Sequence, residues 1–225
     1  MVMAITITDL SLLKLLQLCS VNLPVGGFAF SQGLETACEI NWVANSTDTK
    51  TWIETQIAHS LEKLDFPCFI RAFHAAENQD NDELNYWNRY LLASRETHEL
   101  YVADTAMGAA LKRLLKSLDI SIPISGDISF CVLFAYVCAH WNIEQQAAVM
   151  GFGWTWLENQ IAAAIKLVPL GQTVAQQLLL ELQPMLAASV NESLLIQDDD
   201  IGGNLPGLSL ASSLHETQYS RLFRS

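Results

Sequence analysis

Leu100, Met107, Leu111, Leu114 and Leu118 recur in steps of 7, 4, 3 and 4 residues. That spacing puts all five on one face of an α-helix, whereas a strand would scatter them over both faces. The same period returns in Leu12, Leu16 and Cys19, and in Leu84, Trp87 and Leu91. No series of alternating runs joined by hairpin turns competes with it, and no internal repeat is visible. The reading is all-α, a single-domain bundle of about 8–10 helices. A chain of 225 residues is long enough to bury a sizeable core.

The element boundaries follow from caps and breakers. Asp9 caps a first helix, and residues 2–8 form a loose or docking terminus. Ser31 caps a second helix that reaches about Val43. Asn45-Ser46-Thr47-Asp48 is a turn with its own cap, before a helix from about Thr49 to Leu64. Asp65 caps a new helix with Pro67 just inside it, running to about Ala76. Asp127 ends the loop that holds Pro123 and Gly126. Apolar helices follow over about 128–140 and 143–168, the second central because it is apolar on several faces. Pro169 breaks it. A helix over 172–182 comes next, and Pro184 starts a short successor.

From Gln197 the character changes. Asp198-Asp199-Asp200-Ile201-Gly202-Gly203-Asn204 is acidic and glycine-rich, as a flexible linker would be. Leu205 to Phe223 is apolar again, so it should dock on its own domain or on a partner. The division expected is a helical domain over 1–196 and a linker with a partner-docking tail over 197–225.

Hydrophobic residues make up 51% of the chain and charged residues 16%, which suggests buried partner surfaces. The net charge of −12 argues against nucleic acid and suits basic proteins or cations. The most apolar run, Ile128 to Ala139, falls short of the ~20 residues that span a bilayer. Five cysteines, no CxxC and no secretory signal point to reduced thiols in the cytoplasm.

The stretch from Leu23 to Glu35 is unusual for a connection between two apolar helices. It carries Pro24, three glycines, Phe28 and Phe30. Gly26 and Gly27 permit positive φ and close backbone approach. The loop reads as a packed corner that positions a binding surface. It lacks the Gly-Lys-Ser/Thr of a phosphate loop, and the Gly-x-Ser-x-Gly of a nucleophile elbow is incomplete.

Other chemistry is sparse. No two histidines lie three or four residues apart, so no helix presents a two-histidine ligand face. Cys138 with His140 is the nearest thing to a soft-metal pair. Asp198 to Asp200 resembles the aspartate-rich motif of some magnesium enzymes, without a facing counterpart. Arg95, Glu96 and Glu99 cluster before the long helix, and the spacing of Arg95 and Glu99 fits a surface ion pair. Lys166 sits near the end of the central helix, suited to its dipole or to binding. His215, Glu216, Tyr219, Arg221 and Arg224 give the tail residue types common at interfaces.

Four stretches together resemble the UreF family of urease accessory proteins. They are Leu-Pro-x-Gly-Gly-aromatic with Ser-x-Gly-Leu-Glu over 23–35; Ala93-Ser94-Arg95-Glu96-Thr97; Lys166 to Gln172; and His215 to Phe223. They occur in family order across nearly the whole chain. Phe30 stands where many members have tyrosine, and His98 and Leu214 where arginine is frequent. The resemblance implies a cytoplasmic, dimer-forming protein without enzymatic activity or cofactor. Such proteins bridge UreD (also called UreH) and the GTPase UreG, and support GTP-dependent nickel insertion into apo-urease. It implies partner-binding roles for Gly26, Gly27, Phe28, Phe30, Ser31, Glu35, Arg95, Glu96, Lys166, Gln172, His215, Glu216, Tyr219 and Arg221. A direct nickel-binding chaperone using Cys138 and His140, and a helical metal-dependent enzyme using Asp198 to Asp200, are the alternatives.

Overall fold

Helices begin where a side chain can accept an orphan amide. In the computed structural model, which describes residues 8–224, ten α-helical segments follow one another. They are α1 (Asp9–Leu18), α2 (Leu34–Glu39), α3 (Ser46–Gln56), α4 (Phe66–Glu77), α5 (Asn81–Ala93), α6 (His98–Ser117), α7 (Phe130–His140), α8 (Gln145–Leu167), α9 (Gln172–Ser193) and α10 (Pro206–His215). No strand occurs among the described residues. The side chains of Asn45, Asp80, Thr97 and Glu144 cap α3, α5, α6 and α8. Thr8, not Asp9, caps α1, and residues 2–7 of the expected docking terminus lie outside the described range.

Three local expectations change. Ser31 does not start α2, because Gln32 and Gly33 follow it with φ of 51° and 82°, incompatible with a helix. The helix therefore begins at Leu34. Pro184 lies inside α9 rather than between two helices. An interior proline costs about 3 kcal/mol. Leu178, Leu179, Leu182, Leu186 and Val190 are buried on both sides of it. At about 1.5–3 kcal/mol each, those side chains outweigh the break.

Asp65 likewise makes no capping bond, because no new helix starts there. α3 and α4 are joined through a π-helix over Ile57–Asp65, so nine rods carry the ten segments. Pro67 lacks the amide that a straight helix would send to the Lys63 carbonyl. That carbonyl instead accepts the Gly202 amide at 2.9 Å. The acidic, glycine-rich stretch thus has partners on its own chain. Arg71 Nε donates to Asp198 at 2.7 Å, the Tyr90 hydroxyl to the Ile201 carbonyl at 2.7 Å, and the Leu205 amide to Glu96 at 3.1 Å.

The core centres on α7, where Phe130 to Ala135, Val137 and Cys138 are all buried. It packs against α4 and α6, and α8 crosses beside it. Phe152 of α8 lies 5.5 to 6.4 Å, ring centre to ring centre, from Phe66, Phe69, Phe130 and Phe134. Such aromatic pairs add about 0.5–1.5 kcal/mol each beyond their burial. No helix among the described residues is long and apolar enough to cross a membrane.

α6 meets the start of α7 without room to spare at Gly108. A Cβ there would overlap the Ile128 carbonyl oxygen, which belongs to backbone. Gly108→Ala gains about 1 kcal/mol of helix propensity. Forcing the two segments apart costs about 1–3 kcal/mol or more. Urea unfolding should show a net loss of stability; a stabilised variant would contradict the packing.

Candidate functional site

The corner, the loop before α6, the end of α8 and the C-terminal stretch come together in space. Glu35, in the first turn of α2, is the anchor. Its carboxylate accepts the Leu222 amide at 2.6 Å and the Phe223 amide at 2.9 Å. It also meets His215 Nε2 at 3.0 Å. His215 is fully buried, and its Nδ1 lies 2.9 Å from both oxygens of Glu99. A ring donating from both nitrogens satisfies all these contacts. Arg221 Nη1 reaches Glu99 at 3.3 Å, the Arg224 amide donates to the Ala29 carbonyl at 2.8 Å, and Thr97 bonds Ser212 at 2.7 Å. The tail helix α10 and residues 216–224 are thereby strapped across the corner.

The corner itself needs glycine for two different reasons. Gly26 has φ +73° with open space around it, and only its backbone conformation favours glycine. Gly27 carries no such angle; a Cβ there would come 2.8 Å from Asn159 Nδ2. Between them the chain turns so that Phe30 and Ser31 are buried while Phe28 stays 63% exposed.

Beside Phe28, Lys166 Nζ sits 6.0 Å from its ring centre and 5.3 Å from that of Phe223. Cation–π attraction of this kind is worth about 0.5–1 kcal/mol at exposed sites. Arg113 of α6 and Arg224 line the same groove, of about 630 Å³, and no carboxylate joins them among its described lining residues. On a chain of net charge −12 this is a local positive surface.

Arg95 does not pair with Glu99 and is not a surface residue. Its Nη2 lies 2.7 Å from Asp65 and 2.8 Å from Asp104, and its Nε donates to Asp104 at 2.9 Å. The Arg95 side chain is 15% exposed and the two carboxylates still less. Burial disfavours the guanidinium charge, but Asp104 and Asp65 outweigh it and hold the pKa well above the usual arginine value. The other oxygen of Asp104 accepts the Ser129 hydroxyl at 3.0 Å and the Phe130 amide at 2.7 Å. Asp104 therefore caps α7 from outside, the role that the sequence suggested for Asp127.

Among the residues proposed for partner contact, Glu35, Ser31, Phe30, Arg95 and His215 face their own chain. Phe28, Lys166, Glu216, Tyr219 and Arg221 are exposed around the strap, and Gln172 is exposed at the first residue of α9. Sequence reasoning missed Asp104. The signal was present: 104 falls on the apolar stripe between Leu100 and Met107, where a carboxylate must find a partner. Arg113 lay hidden because its partner surface comes from residues far away in the chain.

The metal alternatives find little support in the side-chain arrangement. Cys138 is buried in the core and burial pushes its thiol well up, whereas His140 is exposed. Asp198 is engaged by Arg71. Among the described residues no group of three or more His, Cys, Asp or Glu is placed to hold a metal ion.

The stretches that carry the family resemblance thus meet at one exposed, cation-bearing corner of an all-helical protein. A family model described as UreF matches residues 43–183. A urease accessory protein UreF of Marinomonas sp. is 52% identical over 223 residues, covering 98% of this chain and 97% of the relative. Those of Pseudomonas putida and Psychrobacter cryohalolentis are 44% and 43% identical, each covering 97% of this chain. The chain belongs to the UreF family of urease accessory proteins.

Removing one carboxylate of the Arg95 group leaves a buried charge under-compensated and α7 uncapped. Asp104→Ala should cost about 3–5 kcal/mol. Denaturant titration followed by circular dichroism measures it, and a loss under about 1 kcal/mol, the worth of a surface pair, would refute the buried role.

Proposed function

We propose that the chain is a non-catalytic, cytoplasmic scaffold that bridges UreD (UreH) and the GTPase UreG and supports GTP-dependent nickel insertion into apo-urease. The observation that carries this is the convergence of corner, α8 end and C-terminal strap on one surface with exposed aromatics and cations. GTP hydrolysis belongs to UreG in this reading. The positive groove around Lys166 suits an acidic surface of UreG. The exposed side of the strap, with Leu210, Leu214, Tyr219 and Leu222, suits UreD. Residues 197–204 then act as the joint through which 205–225 adjusts to that partner.

A homodimer fits a different face. Leu12, Leu16 and Val21 are 42%, 57% and 66% exposed, and with Met150 and Trp154 of α8 they line an apolar groove. Glu158 is its one charged lining residue among those described. Two copies of net charge −12 repel over most of their surfaces, so a nearly uncharged face is where they can approach. Sedimentation at micromolar concentration should give about twice the 24.9 kDa chain mass. Trp154→Glu should return it to the monomer mass; a wild-type chain that stays monomeric sinks the dimer.

The bridging reading is tested by co-purification with UreD and UreG, with and without GTP and nickel. Lys166→Glu should weaken UreG recruitment tenfold or more, about 1.4 kcal/mol, with far-UV helicity unchanged. Tyr219→Ala with Leu222→Ala should do the same for UreD. Amides of 205–224 should exchange more slowly once UreD is bound. Normal binding by these variants, or exchange indifferent to UreD, would overturn the assignments.

A further inference from the structure

The π-helix over Ile57–Asp65 is nine residues long, more than the single-turn bulge in which that geometry is mostly found. Burial of Ile57, Leu61 and Leu64 holds it from the inside. On the outside, the stretch that follows α9 runs against it. The Gly202 amide donates to the Lys63 carbonyl at 2.9 Å. One residue on, a Cβ at Gly203 would overlap the His59 carbonyl oxygen. Gly203 has no positive φ, so this close approach alone reserves the position for glycine. His59 and Lys63 lie about one turn apart, and the two glycines span that turn from outside.

The same stretch is anchored on either side of the glycines. Arg71 of α4 donates to the Ile196 carbonyl and to Asp198, both at 2.7 Å. Ile201 is buried, and its carbonyl accepts the Tyr90 hydroxyl at 2.7 Å. The Leu205 amide donates to Glu96 at 3.1 Å. Two of these supports lead to Arg95: Asp65 ends the π-helix and pairs with it, and Glu96 is its neighbour in the chain. Register decides whether Asp65 can do so. Returning a π turn to α geometry shifts the register by one residue, roughly 100° about the axis. That rotation would carry Asp65 away from Arg95 and leave the guanidinium with Asp104 alone.

We propose that residues 201–205 are a brace that holds Ile57–Asp65 in its π register, and that a partner which moves the tail acts through this brace on the Arg95 ion group. With the brace seated, the Lys63 carbonyl has its donor and Asp65 faces Arg95. With the brace lifted, that carbonyl loses its partner and the register is free to relax. An adjustment of the joint at 197–204 is therefore felt in the core. The brace stands on contacts within the chain; the coupling rests on the reading of 205–225 as the segment that meets UreD.

Adjacent glycines give the test, read by hydrogen exchange on the full chain. Gly203→Ala drives a methyl group into the His59 carbonyl, whereas a Cβ at Gly202 meets nothing within 4 Å and the amide is kept. Amides of 57–65 should exchange about tenfold faster in Gly203→Ala, with α8 unchanged and Gly202→Ala like the wild type. Equal protection of 57–65 in the two variants, or a loss spread evenly over the chain, overturns the brace. Should Gly203→Ala fail to fold, Tyr90→Phe removes the hydroxyl from the Ile201 carbonyl and keeps the ring. It should speed exchange over 57–65 several-fold; wild-type rates there overturn the brace. UreD added to the wild-type chain should change exchange at 57–65 as well as at 205–224. If UreD slows 205–224 and leaves 57–65 untouched, the coupling is wrong and the bridging reading stands. If UreD does not bind, reading and coupling fall together, and the glycine pair still decides the brace.

Discussion

Arg95 is held between Asp65 and Asp104, and much of the molecule depends on that arrangement. Asp65 ends the π-helix, Asp104 lies in the first half of α6, and Arg95 sits in the connection from α5. Through its second oxygen Asp104 also sets the start of α7, the helix at the centre of the core. One guanidinium thus fixes the relative position of four consecutive pieces. Hydrophobic burial supplies most of the stability, but it is non-directional. The ion group supplies direction, since a slip of any piece would strand a charge out of water.

The surface is built by a similar division of labour. Buried anchors (Glu35, Glu99 and His215) hold the strap to the corner, and they present little to a partner. The exposed side chains beside them, Phe28, Lys166, Tyr219 and Arg221, face outward even where Arg221 reaches Glu99 and Lys166 lies over Phe28 and Phe223. A family motif that mixes both kinds therefore marks a shape together with its contact residues.

The helical class was legible because period is a local property: the stripe from Leu100 to Leu118 lies in α6 but for Leu118 itself, which follows its last turn. Caps were legible where the accepting side chain is close in sequence, as at Asn45. They failed where the partner is remote. Nothing near Phe130 announces that Asp104 caps its helix, and nothing near Ser31 announces that φ turns positive at Gln32. Pro184 was read as a boundary because proline's cost is local, while the leucines that offset it act through tertiary burial. The corner was recognised as special, but its reason lies 187 residues away in Leu222. The acidic stretch shows the same limit: Asp198 looks solvated until Arg71 is placed beside it.

That separation has a consequence for how the protein is made. Glu35 emerges from the ribosome early, and its amide donors at 222 and 223 emerge after all ten helices. During synthesis the corner has a buried-type carboxylate with nothing to receive, so its final shape is not available on a growing chain. The surface is completed only when the last described turn of backbone is free to fold back. A chain that stopped just after α10 would carry all ten described helices and still lack the backbone donors that finish the corner.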